Sequence, residues 1–235
     1  MQRLIDNRIL LPLAVLSSVV MMVALWMVFF YAPVEQTMGI VQKIFYVHVP
    51  AAMAMYAGFL TCAVCSFLFL LRPSKRWDQA AVTGAELGLL ACVFVLISGP
   101  LWAYKAWGVA WTWDPQLTAT FVLFLMYGSY VLLRTFGGTG RAVQKVSAVL
   151  ALLAVVNVPI VHYAVTLWGG MHPVVEREGG GGLADEIALV LQVNLLAFLM
   201  VFGVLLWMRF RTRMLEAQVD ELYLELEDLA RLGEE

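Results

Sequence analysis

Charge is what this sequence has least of. Lys, Arg, Asp and Glu together make up 14% of its 235 residues, where a soluble domain carries roughly 25%. Cysteine is scarce as well. Cys62, Cys65 and Cys92 all fall inside apolar runs, so they do not read as a disulfide framework. Cys62 and Cys65 form a C-x-x-C, but no histidine follows and the pair sits within a span, where small apolar filler is the plainer reading. Histidine occurs three times. Zinc and copper sites usually draw three or four N, S or O ligands, and cysteine confined to spans leaves too few for one. The chain has no G-x-x-x-x-G-K-[ST] loop, so ATP chemistry must come from a partner. On that basis the chain is not expected to be an enzyme itself, and no nucleic-acid partner is expected.

What is present is apolar. Hydrophobic residues reach 62% and the mean hydropathy is +0.84, which indicates a multi-pass protein of the lipid bilayer. Six runs are long enough, or nearly so, to cross it: 10–31, 46–71, 81–101, 117–133, 146–163 and 186–208. The fourth and fifth are short and should extend into their polar flanks. Lipid offers no partner for backbone N–H and C=O groups, so each span is expected to be helical and the fold all-α. The first run is long enough to span and lacks a small-residue cleavage pattern, so a retained span is expected, not a cleavable signal.

Basic residues set the orientation. With the N-terminus cytoplasmic, Arg3, Arg8, Arg72, Lys75, Arg76, Arg134, Arg141, Lys145, Arg209, Arg211, Arg213 and Arg231 lie inside. Only Lys43, Lys105 and Arg177 lie outside. Both termini are therefore expected in the cytoplasm. The same assignment puts His48, His162 and His172 on the outer side, together with the indole-rich stretch 106–116, "AWGVAWTWDPQ", between spans three and four.

That stretch places Trp107, Trp111, Trp113 and Asp114 within eight positions. In an extended segment the three indoles share a face; in a helix Trp107, Trp111 and Asp114 do. An aromatic belt at the membrane interface is the rival reading, although belts scatter their residues among helix ends. A single histidine near an interface is usually just a satisfied polar group. Two histidines entering one pocket could hold a metal or the iron of a haem. Haem needs two axial ligands, flat apolar walls and groups to meet its propionates, for which Lys105, Arg177 or backbone donors are candidates. It uses all these features together.

"WGVAWTWD" resembles the WGxxWxWD signature of the haem-handling proteins of cytochrome c biogenesis, and the six-span chain is most similar to the CcmC family. "KIFYVHVPAAM" (43–53), "SGPLW" (98–102) and "NVPIVHYAVTLWGGMHP" (157–173) extend the resemblance over nearly the whole chain, in the family's order. The resemblance implies that His48 and His172 are axial ligands of a b-type haem, with Trp107, Gly108, Trp111, Trp113 and Asp114 forming its outer platform. His162 ranks below His172, because the family ligand follows the Trp, here Trp168. The resemblance further implies a relay at the periplasmic face of the bacterial inner membrane. Haem is presented to the chaperone CcmE, which binds it covalently, while CcmA, CcmB and CcmD complete an ABC-type complex. Residues 1–209 would form the haem-handling domain, and 210–235 a cytoplasmic acidic helical tail. A haem lyase of the larger CcsA or CcmF type is the alternative, disfavoured by six spans and three histidines. A two-haem electron-transfer cytochrome b, which generally uses four intramembrane histidines, is disfavoured on the same count. The glycine-rich "EREGGGG" (176–182) is expected to order only with haem or a partner bound.

Three polar features stand apart from this reading. Glu86 lies in the inner half of span three, as a functional carboxylate, an N-terminal stabiliser or a partner contact. Asn157 and Asn194 are expected to bridge helices. In the tail, Leu215, Val219, Leu222, Leu226 and Leu229 follow a heptad spacing over only about two repeats, short of a coiled coil. Eight of the 17 acidic residues lie there, which suits a cytoplasmic partner or a solvated extension better than anionic lipid.

Overall fold

The computed structural model describes residues 8–36, 38–172 and 183–232. Among them the only β pairing is an isolated bridge between Glu35 and Gly39; the rest of the regular structure is helical. Helix α1 (Leu10–Trp26) runs into a π turn, Met27–Tyr31, and a 3₁₀ turn, Ile40–Ile44, leads into α2 (Phe45–Leu71). Then follow α3 (Lys75–Trp107), α4 (Pro115–Phe136), α5 (Arg141–Val155), α6 (Asn157–Trp168) and α7 (Asp185–Leu232). Six stretches are long and apolar enough to span a bilayer: Leu10–Tyr31, Ile40–Leu71, Lys75–Trp107, Pro115–Phe136, Arg141–Trp168 and Asp185–Tyr223. The six expected spans are all present. The short fourth and fifth do extend into their flanks, the fifth as the two helices α5 and α6 in sequence.

The centre of the bundle is the α2–α3 pair, and glycine makes it possible. A methyl group built on Gly58 would stand 2.6 Å from the Cα of Gly88, and one on Gly84 2.7 Å from the Cys62 nitrogen. The two backbones therefore touch, an approach that only small residues allow and that membrane bundles exploit in the absence of a hydrophobic drive between helices. Cys62, Cys65 and Cys92 are buried free thiols in the surrounding core, which agrees with their reading as filler. Helix α4 adds the Tyr127 ring, stacked on Phe59 with centroids 3.7 Å apart, its hydroxyl donating to the Phe59 carbonyl at 3.1 Å.

Polar side chains fasten the outer helices. The Asn157 amide donates to the Ala119 carbonyl (2.8 Å), tying α6 to α4. The Asn194 amide reaches the Val190 carbonyl at 2.8 Å and that of Ala24 at 3.4 Å, joining α7 to α1. Both asparagines bridge helices as expected. Asp78, almost fully buried, pairs with Arg134 at 2.7 Å and accepts from Gln144 at 3.3 Å, so α3, α4 and α5 meet at one carboxylate. Glu86 takes two arginines of α7. Arg209 Nε donates to its Oε2 at 2.9 Å, and Arg213 Nε to the same oxygen at 3.1 Å. This intramolecular clasp was not among the roles that the sequence left open for Glu86; it exists only because α7 packs beside α3.

Helix α7 is 48 residues long, about 72 Å at 1.5 Å per residue. That is more than twice the roughly 30 Å of hydrocarbon in a bilayer. It projects well beyond any membrane, and positions 209 and 210 lie within this single uninterrupted helix. Lys75 at the start of α3 bonds to the Glu221 carboxylate at 2.7 Å and also donates to the Ala217 carbonyl. The apolar seam of the projecting part, Val219, Leu222, Leu226 and Leu229, is exposed.

Candidate functional site

All the expected site residues within the described chain lie at the end of the bundle opposite the arginines. His48 occupies the first turn of α2, and its Nδ1 lies 2.8 Å from the hydroxyl of Ser98 on α3. The ring edge approaches Gly99, where a methyl group would stand 3.2 Å from His48 Cε1. One turn further along α3, the Trp102 indole N–H donates to the Gln42 side chain at 3.2 Å. The end of α3 is thereby held at two successive turns, against the first turn of α2 and the 3₁₀ turn before it.

The tryptophans do not form one sheet of three. Trp107 is the last residue of α3, which Gly108 closes with φ of 77° and its N–H on the Tyr104 carbonyl. Residues with a Cβ rarely adopt that left-handed conformation. Still within α3, Trp107 packs edge-on against Trp102 of the same helix, with centroids 5.7 Å apart. Trp111 and Trp113, in the irregular segment after the turn, meet each other edge-on at 5.5 Å and both rest on Phe121. Two of the three indoles are thus paired, as the extended alternative allows, while the third belongs to another pair. Trp113 presents most of its surface outward, 72% exposed.

Asp114 opens α4. Its Oδ1 accepts the Leu117 N–H at 2.9 Å and Pro115 follows as first helical residue, so it serves as an N-cap. The other oxygen is left over. Among the described residues seven buried side-chain polar atoms lack a hydrogen-bond partner, and four of them cluster here: Trp111 Nε1, Thr112 Oγ1, Asp114 Oδ2 and Thr118 Oγ1. Buried polar groups are nearly always satisfied, so such a concentration marks a place suited to another molecule.

The chain after α6 returns to this spot. Gly169 ends that helix at φ of 75°, and Gly170, at 149°, is so close to Asp114 that a methyl group would stand 3.3 Å from Oδ2. Two residues on, His172 is half-buried and within electrostatic reach of His48. The end of α3, the segment 108–114, the turn 169–172 and the start of α2 therefore converge. His162 is placed differently. It lies edge-on to Tyr56, with centroids 6.5 Å apart, and Tyr56 is eight residues beyond His48, about 12 Å deeper along α2. Lys105 is exposed at the end of α3. Arg177 and the glycine-rich stretch 176–182 lie outside the described residues. No three His, Cys, Asp or Glu side chains gather into a metal-binding group among the described residues.

Comparison with known proteins gives the family. The family model CcmC, described as "Heme exporter protein C", matches residues 2–225. This chain belongs to the CcmC family. Among curated relatives, "Heme exporter protein C" of Escherichia coli strain K12 is 29% identical over 210 residues, covering 87% of this chain and 84% of the relative. The protein of the same name from Bradyrhizobium diazoefficiens is 33% identical, covering 81% and 73%, and that from Rhodobacter capsulatus is 32% identical, covering 78% and 77%.

Within this CcmC-family chain, reading the sequence for ligand types missed Ser98, Gly99, Trp102 and Gln42. "SGPLW" contains three of the four, but a serine or glycine in an apolar run carries no signal until the facing helix is known. Thr112 and Thr118 were missed for the same reason.

Proposed function

We propose that this chain holds haem at the outer end of its bundle, with His48 and His172 as axial ligands of a b-type haem, for delivery during cytochrome c maturation. The observation that carries the reading is the convergence of these two histidines, 124 residues apart in sequence, within electrostatic reach of one another. The turn that carries His172 approaches Asp114, whose Oδ2 is buried without a partner and which directly follows the indole pair Trp111 and Trp113.

The chemistry of the donor set suits haem. Two neutral imidazoles satisfy iron's axial positions, and the faces of Trp111 and Trp113 suit a flat aromatic ring. Trp107 and Gly108 shape the rim, Gly108 by turning the chain out of α3. Asp114 holds the start of α4 and contacts the turn that carries His172. The unpartnered Trp111 N–H and threonine hydroxyls are donors that a propionate could use. Membership of the CcmC family, whose curated relatives are named as haem exporters, supports the same cargo.

The twelve-to-three bias of basic residues supports both termini in the cytoplasm and the histidine end on the outer side, and family membership supports the bacterial inner membrane as the setting, which makes that side periplasmic. In this setting the chain presents haem to the chaperone CcmE. CcmA and CcmB, with the small CcmD, form the ABC-type complex around it and supply the ATP hydrolysis that this sequence has no motif for. The reading is tested by purifying the complex and recording the oxidised absorption spectrum. The expected result is a low-spin Soret band in the wild type, lost together with CcmE loading in both His48→Ala and His172→Ala. Undiminished haem in either variant refutes that ligand assignment.

A further inference from the structure

We propose that Ser98 is a positioning residue that fixes the ring tautomer of His48, so that Nε2 is the nitrogen offered to iron. This rests on the reading of His48 as a haem ligand.

The argument is one of hydrogen counting. A serine hydroxyl has a single proton and two lone pairs. Ser98 Oγ lies 2.8 Å from the Phe94 carbonyl and 3.5 Å from that of Val95. Carbonyl oxygens can only accept, so the hydroxyl proton is directed back into its own helix. Only a lone pair is left to face His48 Nδ1 at 2.8 Å. The proton in that contact must therefore sit on Nδ1. If the hydroxyl donated to the ring instead, its oxygen and the Phe94 carbonyl would face each other at hydrogen-bond distance with no proton between them.

A neutral imidazole has one N–H. With Nδ1 protonated, Nε2 has a free lone pair, which is the form that binds iron. Histidine ligands characteristically donate their other N–H to a fixed acceptor, which orients the ring and raises its basicity. A serine performs that task here, and its own second bond to Phe94 removes the ambiguity of a freely rotating hydroxyl. Ser98 is 6% exposed, so water does not compete for the contact. Gly99 contributes space, since any larger residue would press on the ring at Cε1.

The test compares Ser98→Thr with Ser98→Val in the intact complex. The two side chains have nearly the same shape and differ in the hydroxyl, so any general damage from branching at position 98 is shared. Haem affinity by titration, the low-spin ferric resonance spectrum and the midpoint potential are measured for both, beside His48→Ala. The expected result is that Ser98→Val binds haem about 10- to 100-fold more weakly than Ser98→Thr, the usual effect of losing such an outer partner. Its low-spin spectrum and potential shift as well, because ligand basicity has changed. Equal affinity and identical spectra for the two variants overturn the proposal. If His48→Ala itself keeps the wild-type spectrum, it is the ligand reading that fails, and the tautomer argument falls with it.

Discussion

Gly58 and Gly88 touch, and through that contact they set the register of α2 against α3. A methyl group on Gly58 would lie 2.6 Å from the Gly88 Cα, so the two antiparallel helices cannot slide without a collision elsewhere. His48 lies ten residues before Gly58 and Ser98 ten residues after Gly88. Along antiparallel helices both offsets run the same way for about 15 Å. The histidine and the serine meet because the glycines meet.

Enlarging that crossing should therefore damage the site from a distance. Gly58→Val is expected to lower stability by about 1–3 kcal/mol, the usual cost of overpacking, and to reduce bound haem although the residue is remote from it. Thermal unfolding in detergent and the haem-to-protein ratio check both parts.

The Glu86 clasp makes the opposite prediction. Glu86→Gln leaves Arg209 and Arg213 facing each other with Glu216, 3.7 Å from Arg209, as the remaining countercharge. Breaking a fully buried pair costs about 3–5 kcal/mol, but these side chains are 21–37% exposed, so a loss of about 1–2 kcal/mol is expected. Haem affinity at the far end should not change. Urea or thermal unfolding measures the first effect and haem titration the second.

Asp114 is expected to do two jobs that separate by substitution. Asparagine caps a helix about as well as aspartate, whereas alanine costs about 1 kcal/mol. Asp114→Asn should therefore unfold like the wild type, and Asp114→Ala earlier. Both should bind haem more weakly if the unpartnered Oδ2 serves the site, and an Asp114→Asn variant with full haem affinity would reduce the residue to a cap.

Gly170→Ala tests how His172 is delivered. Its φ of 149° is one that L side chains rarely adopt, and the added methyl would crowd Asp114 Oδ2. The variant should keep its membrane fold yet lose most of its bound haem, like His172→Ala. His162→Ala, which removes edge-on contacts with Tyr56 and Tyr163, should keep its Soret band.

The bundle was legible because a bilayer enforces simple rules. Long uncharged runs must be helices, and the number and order of spans follow from hydropathy alone. Asp114 and Gly108 were visible as part of the tryptophan signature, but not as an N-cap and a left-handed helix end. The α2–α3 crossing did leave a trace, Gly84 and Gly88 at four-residue spacing, which is the small-residue pattern of close helix pairs. Ser98 left none, since serine in an apolar helix usually just bonds to its own backbone, as this one also does at Phe94.

By itself the sequence determined six spans, the end of each span that carries the basic residues, and the spacing of an indole cluster beside three histidines on the other side. These are local properties, readable from composition and spacing along the chain. Which tryptophan pairs with which, where Glu86 finds its arginines and which hydroxyl faces His48 were decided by tertiary structure. Each depends on the rotation and register of one helix against another, and those are set by packing between residues far apart in the chain.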